Sequence, residues 1–246
     1  MQAAAAAKVN QLHDELITLP FDQEERILAI GWQLRLLHRQ APNDMPVAVT
    51  LMNAIAMAGA AEEARTMASR LWPFRQTMSP LVGWDYLGSL LDLAMYEQAA
   101  TVLAAVANHL PLAAIAVMRR HIAVGLGDAA FFARLGDRVA PELAPLCQRL
   151  AQHSDYFRAR QAAVRSVVEG HQVAYTTHLV PSDAETDGEL DVGIFVAGDI
   201  AARRMLEQRI DDAVARVSAE FGVNGDDLPI IENVHDHRAH GRVKPV

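Results

Sequence analysis

The chain has 246 residues, 51% hydrophobic and 21% charged, which is enough apolar surface for a folded core and too much for a disordered chain. Its formal net charge of -8 is concentrated at one end: residues 1–170 carry 16 acidic and 15 basic side chains, residues 171–246 carry 14 and 7. The acidic end should repel a phosphate backbone, which argues against nucleic acid as a partner, and an aromatic content of only 6% beside abundant alanine points to a helical body.

Met1 to Lys8 offers no basic stretch followed by a long apolar one, so no signal peptide is expected. From there to about Glu169 helical periodicity is interrupted at Pro20, Ala41–Asp44, Gly59, Pro73–Pro80, Ala94–Tyr96, Pro111, Gly127, Pro141 and Ser154. The helices between these breaks are short, and short connections force antiparallel neighbours. Ile27, Ile30, Leu34 and Leu37 form one apolar face, and Leu87, Leu90 and Leu91 another. The uncharged run between Glu97 and Arg119 is long enough to span a bilayer, but Asn108, His109 and Pro111 divide it into two buried helices, so no membrane span is expected. Cys147, the single cysteine, sits among Leu143, Leu146 and Leu150 as an inert buried thiol, in keeping with a reducing, cytoplasmic setting. Lys8 and Lys244 are the only lysines, a genome-level bias of bacterial type rather than a functional feature.

Trp84, Leu87, Gly88 and Leu91, followed by Tyr96, Ala99, Leu103 and Val106, repeat a large-small-large pattern, and Leu51, Ile55, Gly59 and Ala64 recur at similar offsets. Gly59, Ala94, Gly127 and Ser154 lie 35, 33 and 27 residues apart. Over residues 45–169 this resembles the tetratricopeptide repeat, whose period is about 34 residues. Phe132 departs from the pattern, standing where a small residue belongs. The resemblance implies an α-helical fold: an antiparallel helical-hairpin solenoid over residues 1–169, with a groove lined by the first helix of each hairpin. It places Asn53, Asp85, Arg119 and Arg120 near that groove, the arginines suited to the carboxylates of an acidic peptide, and it counts Trp84 as core.

After Gly170 the pattern changes. Gln172–Val180 and Glu189–Val196 read as strands joined by the acidic segment Pro181–Gly188. Asp199 is the expected N-cap of a helix running to about Phe221, with Ile200, Met205, Ile210, Val214, Val217 and Phe221 available for its inner face. Gly222 ends it, and Asp227–Val234 reads as a third strand, pushed to an edge by Pro229. Residues 170–246 are thus expected to form a small acidic α+β unit, strand-strand-helix-strand, with a polar tail, which caps the helical array or offers a second surface.

The chain contains no phosphate loop, dinucleotide fingerprint, nucleophile elbow, HExxH or CxxC. Two clusters could hold a divalent metal: the carboxylates Asp183, Glu185, Asp187, Glu189 and Asp191, and the histidines His235, His237 and His240, with His235 and His237 on one face of an extended strand and His171 or His178 completing the set. A solvated loop and a polar tail account for the same residues without a metal, and no cofactor is assigned. The sequence therefore points to an adaptor, scaffold or chaperone-like module that binds a protein or peptide, with homodimerisation through the uncovered sheet as a further expectation. The alternative is a metal-dependent enzyme or regulator with its site in the C-terminal unit.

Overall fold

In the computed structural model, which describes residues 3–136, 143–180, 188–224, 228 and 230–239, many of the helices begin or end beside a proline or glycine of the sequence. Helix α1 spans Ala3–Thr18, α2 Glu24–Gln40, α3 Met45–Met57, α4 Ala61–Leu71, α5 Pro80–Asp92, α6 Tyr96–Val106, α7 Leu112–Leu126, α8 Ala129–Gly136, α9 Ala144–Gln152 and α10 Ser154–Val168. Asp44 and Ser79 start α3 and α5 by accepting from the backbone of Val47 and Val82, each with proline in the first turn. Gly59 and Gly127 leave α3 and α7 at φ +83° and +66°, where a side chain would be strained. The residue at 59 must also be small, because a Cβ there would lie 2.7 Å from that of Ala197.

Successive helices pair as α1 with α2, α3 with α4 and α5 with α6, while α1, α3 and α5 also pack side by side. Tyr86 and Tyr96, Leu12 and Leu16, and Ile27, Ile30 and Leu34 are buried in the core that results. Two expectations change. Trp84 is half-buried against this core rather than inside it. Gly88, the small residue of the large-small-large pattern and so the place where a neighbouring helix could come close, has nothing within 4 Å of where its Cβ would be. Close approach occurs instead at Gly83, beside Val106, and at Gly125, beside the ring of Tyr96. Phe132, too large for its place in the repeat, is fully buried between Phe131 and Phe157, with ring centroids at 5.2 and 5.8 Å.

The C-terminal unit has strands β1 (Gln172–Val180), β2 (Glu189–Val196) and β3 (Ile230–Asp236), with α11 (Ile200–Phe221) between β2 and β3. The sheet order is β1-β2-β3; β1 runs antiparallel and β3 parallel to β2. As expected, Asp199 caps α11, accepting from Ala202 N at 2.8 Å, and Gly222 closes it in the left-handed region. The inner face of α11 is narrower than expected. Leu206, Ile210 and Ala213 are buried with Val214 and Val217 packed beside them, whereas Ile200, Met205 and Phe221 are exposed. Phe221 nevertheless lies beside Tyr156 of α10, with centroids 5.9 Å apart, and Tyr156 Oη meets Ser218 Oγ at 2.8 Å, so α11 covers α10. Pro141, the segment 181–187, Asp227, Pro229 and His240 lie outside the described residues. Among the described residues, no helix is long and apolar enough to cross a membrane.

Candidate functional site

The register of the sheet puts Tyr175, Thr177, Leu190, Val192, Ile194, Glu232 and Val234 on one face, and this face meets helices. Strand β1 packs on α3, α5 and α7, the helices that the resemblance assigned to a peptide groove. Three contacts fix it there. Gln172 Nε2, on a buried side chain, donates to Leu91 O at 3.2 Å, Asp92 O at 3.0 Å and Tyr96 Oη at 3.3 Å. The Tyr175 ring lies 5.3 Å from that of Tyr96 and 5.9 Å from that of His121. Arg120 Nε donates to Thr177 Oγ1 at 3.3 Å. Burial pushes the phenol pKa of Tyr96 and of Tyr175 up, and lowers that of His121 to about 4 with help from Arg120 and His178.

A buried ion pair fastens the other edge of the sheet. Arg160 of α10 grips Glu232 of β3 with both terminal nitrogens, and its Nη2 also reaches Ile230 O at 3.2 Å. Gln161 Nε2 adds a bond to Glu232 Oε1 at 3.2 Å. Further out, Arg203 of α11 holds Asp236 at 2.7 Å, Arg165 holds Glu97 at 2.6 Å, and Arg65 bridges Leu93 O and Glu169.

The four residues expected at a groove therefore divide. Asn53 accepts from Ser89, and Asp85 stands 3.0 Å from His13 Nε2, a carboxylate neighbour that raises the imidazole pKa; both residues are engaged within the chain. Arg120 is half-buried against β1. Arg119, one position earlier, is exposed and borders a different hollow of about 250 Å³ between α6, α7 and α8. Leu103, Ala104, Ala107, Ile122, Ala123 and Phe131 line that hollow, and Arg119, Asp128 and Arg134 make up its polar part. Asp128 accepts from Phe131 N at 3.3 Å and so caps α8, leaving two exposed guanidinium groups beside an apolar floor. Adjacent positions on a helix point about 100° apart, which explains why Arg119 and Arg120 serve different surfaces.

The histidines also separate. His235 is exposed on the far face of the sheet with its ring 5.0 Å from that of Phe195, whereas the chain leaves the strand at Asp236 and His237 turns towards Gly59. Burial lowers the His237 pKa, and Asp236 is held well below the usual carboxylate range by Arg238 first and Arg203 with it. Among the described residues no three His, Cys, Asp or Glu side chains gather where they could hold a metal ion; Asp183, Glu185, Asp187 and His240 lie outside those residues. Asp191, the described member of the acidic run nearest the sheet centre, accepts from Asn233 Nδ2 at 2.8 Å.

Sequence reasoning missed Gln172 and Tyr175. Their signal was a buried-type tyrosine and a glutamine at the start of a strand, which says nothing of the distant helix that receives them. Comparison with protein-family models, curated proteins and solved structures finds no match to this chain.

Proposed function

We propose that the protein is a cytoplasmic protein-binding module, an adaptor or scaffold built on a helical array of the tetratricopeptide kind, and that it takes its partner in the hollow between α6, α7 and α8. The observation that carries this reading is the pairing of an apolar floor, Leu103, Ala104, Ile122 and Phe131, with the exposed guanidinium groups of Arg119 and Arg134. Such a surface suits an amphipathic helix or extended segment that offers an apolar side chain flanked by carboxylates, since arginine forks bind carboxylates in pairs. The inner helices are less suited, because β1 already covers part of α3, α5 and α7 and internal partners hold Asn53 and Asp85. The buried thiol of Cys147 supports a reducing compartment.

Affinity capture from native extract with matched variants tests this reading. Arg119→Glu with Arg134→Glu, and separately Ala104→Glu, should remove the partners that the wild-type chain retains, while Arg120→Ala should keep them. Ala104 is exposed, so its replacement tests the surface without opening the core. Retention by both hollow variants together with loss in Arg120→Ala would move the binding site to the inner helices and refute the assignment.

A further inference from the structure

The outward face of α2 carries an apolar stripe with no cover among the described residues. Leu28, Trp32 and Leu36, at 53%, 58% and 41% exposure, follow one another at four-residue spacing on the side opposite the buried Ile27, Ile30 and Leu34. A tryptophan so exposed, between two leucines on one ridge, is the feature by which interface centres differ from ordinary surface.

The arrangement of residues about Trp32 indicates what covers it. Leu28 lies four positions before Trp32 and Leu36 four after; Glu25 lies seven before and Arg39 seven after, both exposed. The stripe therefore reads as acid, leucine, tryptophan, leucine, base. Turned end for end it matches itself in shape, with opposite charges meeting at both ends. We infer that α2 pairs with α2 of a second copy of this chain, antiparallel about a twofold axis at Trp32, so that Leu28 meets the partner's Leu36 and Glu25 meets the partner's Arg39.

This isologous geometry uses every feature of the stripe twice, as a twofold contact requires. The macrodipoles of the two helices oppose one another, so that the first turn, with Glu25, lies against the partner's last turn, with Arg39. The open face of the sheet fits a second copy less well: His178, Asn233 and His235 are exposed there, and Asp191 is already bonded to Asn233. A single helix crossing buries less than the roughly 800 Å² per partner of a standard stable interface, so the dimer is weak and depends on concentration.

Sedimentation equilibrium of the full chain over a hundredfold concentration range, at low ionic strength, tests the inference. The wild type should pass from monomer to dimer, and Trp32→Ala should lower the association constant by roughly tenfold or more, the scale of a truncated interface anchor. Glu25→Arg and Arg39→Glu should each weaken association, since each turns two symmetry-related attractions into repulsions. The two changes together restore both pairs in reversed order and should recover wild-type association. That recovery is specific to a self-complementary antiparallel contact, and the four side chains are exposed, so the variants should fold; thermal unfolding by circular dichroism checks this. A wild type that stays monomeric throughout, a dimer unaffected by Trp32→Ala, or a double reversal no better than the single ones would each overturn the inference.

Discussion

Replacing Glu232 with alanine should destabilise the protein by about 3–5 kcal/mol, the usual cost of leaving one member of a buried ion pair unpaired. Arg160 and Glu232 side chains are only 7% and 5% exposed, and with Glu232 gone the guanidinium would keep Ile230 O as its acceptor from β3 while remaining shut away from water. Gln161 would lose an acceptor as well. Because the pair joins α10 to β3, the loss should appear as loosening of the sheet edge before the helices unfold. Urea denaturation gives the magnitude, and hydrogen exchange gives the location. Glu232→Gln should cost less than Glu232→Ala, since it retains an acceptor for Arg160 and Gln161. Replacing both partners with well-packed apolar residues should cost less than either single truncation, because no buried charge is then left alone. Equal stability of Glu232→Ala and the wild type would show that the pair is solvated.

Gly125 and Gly88, two helical glycines, should respond to alanine in opposite directions. A Cβ at Gly125 would stand 2.6 Å from three atoms of the Tyr96 ring. That ring cannot easily yield, since it is buried, packed against Tyr175 and bonded through its hydroxyl to Gln172. Overpacking of this kind costs about 1–3 kcal/mol, more than the gain of roughly 1 kcal/mol from better helix propensity, so Gly125→Ala should be net destabilising. Gly88 has open space around its missing Cβ, and Gly88→Ala should stabilise α5 by about 0.5–1 kcal/mol. Thermal or urea midpoints of the two variants decide the matter; the same sign for both would contradict the packing described around Tyr96.

These two glycines show what the sequence could and could not reveal. Pro20, Gly59, Pro80, Gly127 and Gly222 mark helix ends through backbone chemistry that is local, so the helix boundaries could be read directly. The β-branched runs from Gln172 and from Glu189 likewise marked their strands. Whether a small residue in a helix faces a neighbouring helix or solvent is not local, and here the close approach falls at Gly83 and Gly125 rather than Gly88. The docking of β1 was invisible for the same reason: Gln172 meets Leu91 and Asp92, and Tyr175 meets Tyr96, across some eighty residues of chain. His235 and His237 would share a face only if the strand continued, and it ends at Asp236. The stripe on α2 was within reach, because Leu28, Trp32 and Leu36 make that helix apolar on the side away from Ile27, Ile30 and Leu34; surplus apolar residues on the outer face of a short helix are the sign to look for.

The docked sheet covers part of the inner helices, and its integration with them can be measured directly. All three tryptophans, Trp32, Trp72 and Trp84, lie in the helical part, so their fluorescence follows that part alone. Hydrogen exchange read on peptides from β1, β2 and β3 follows the sheet. Because Gln172, Tyr175 and Glu232 bind the sheet to α5, α6, α7 and α10, the two probes should give coincident transitions in urea, as a single cooperative unit requires. Loss of protection in the strands at a urea concentration where the tryptophan signal is still native would show instead that the sheet comes away as a separate unit and uncovers the inner helices.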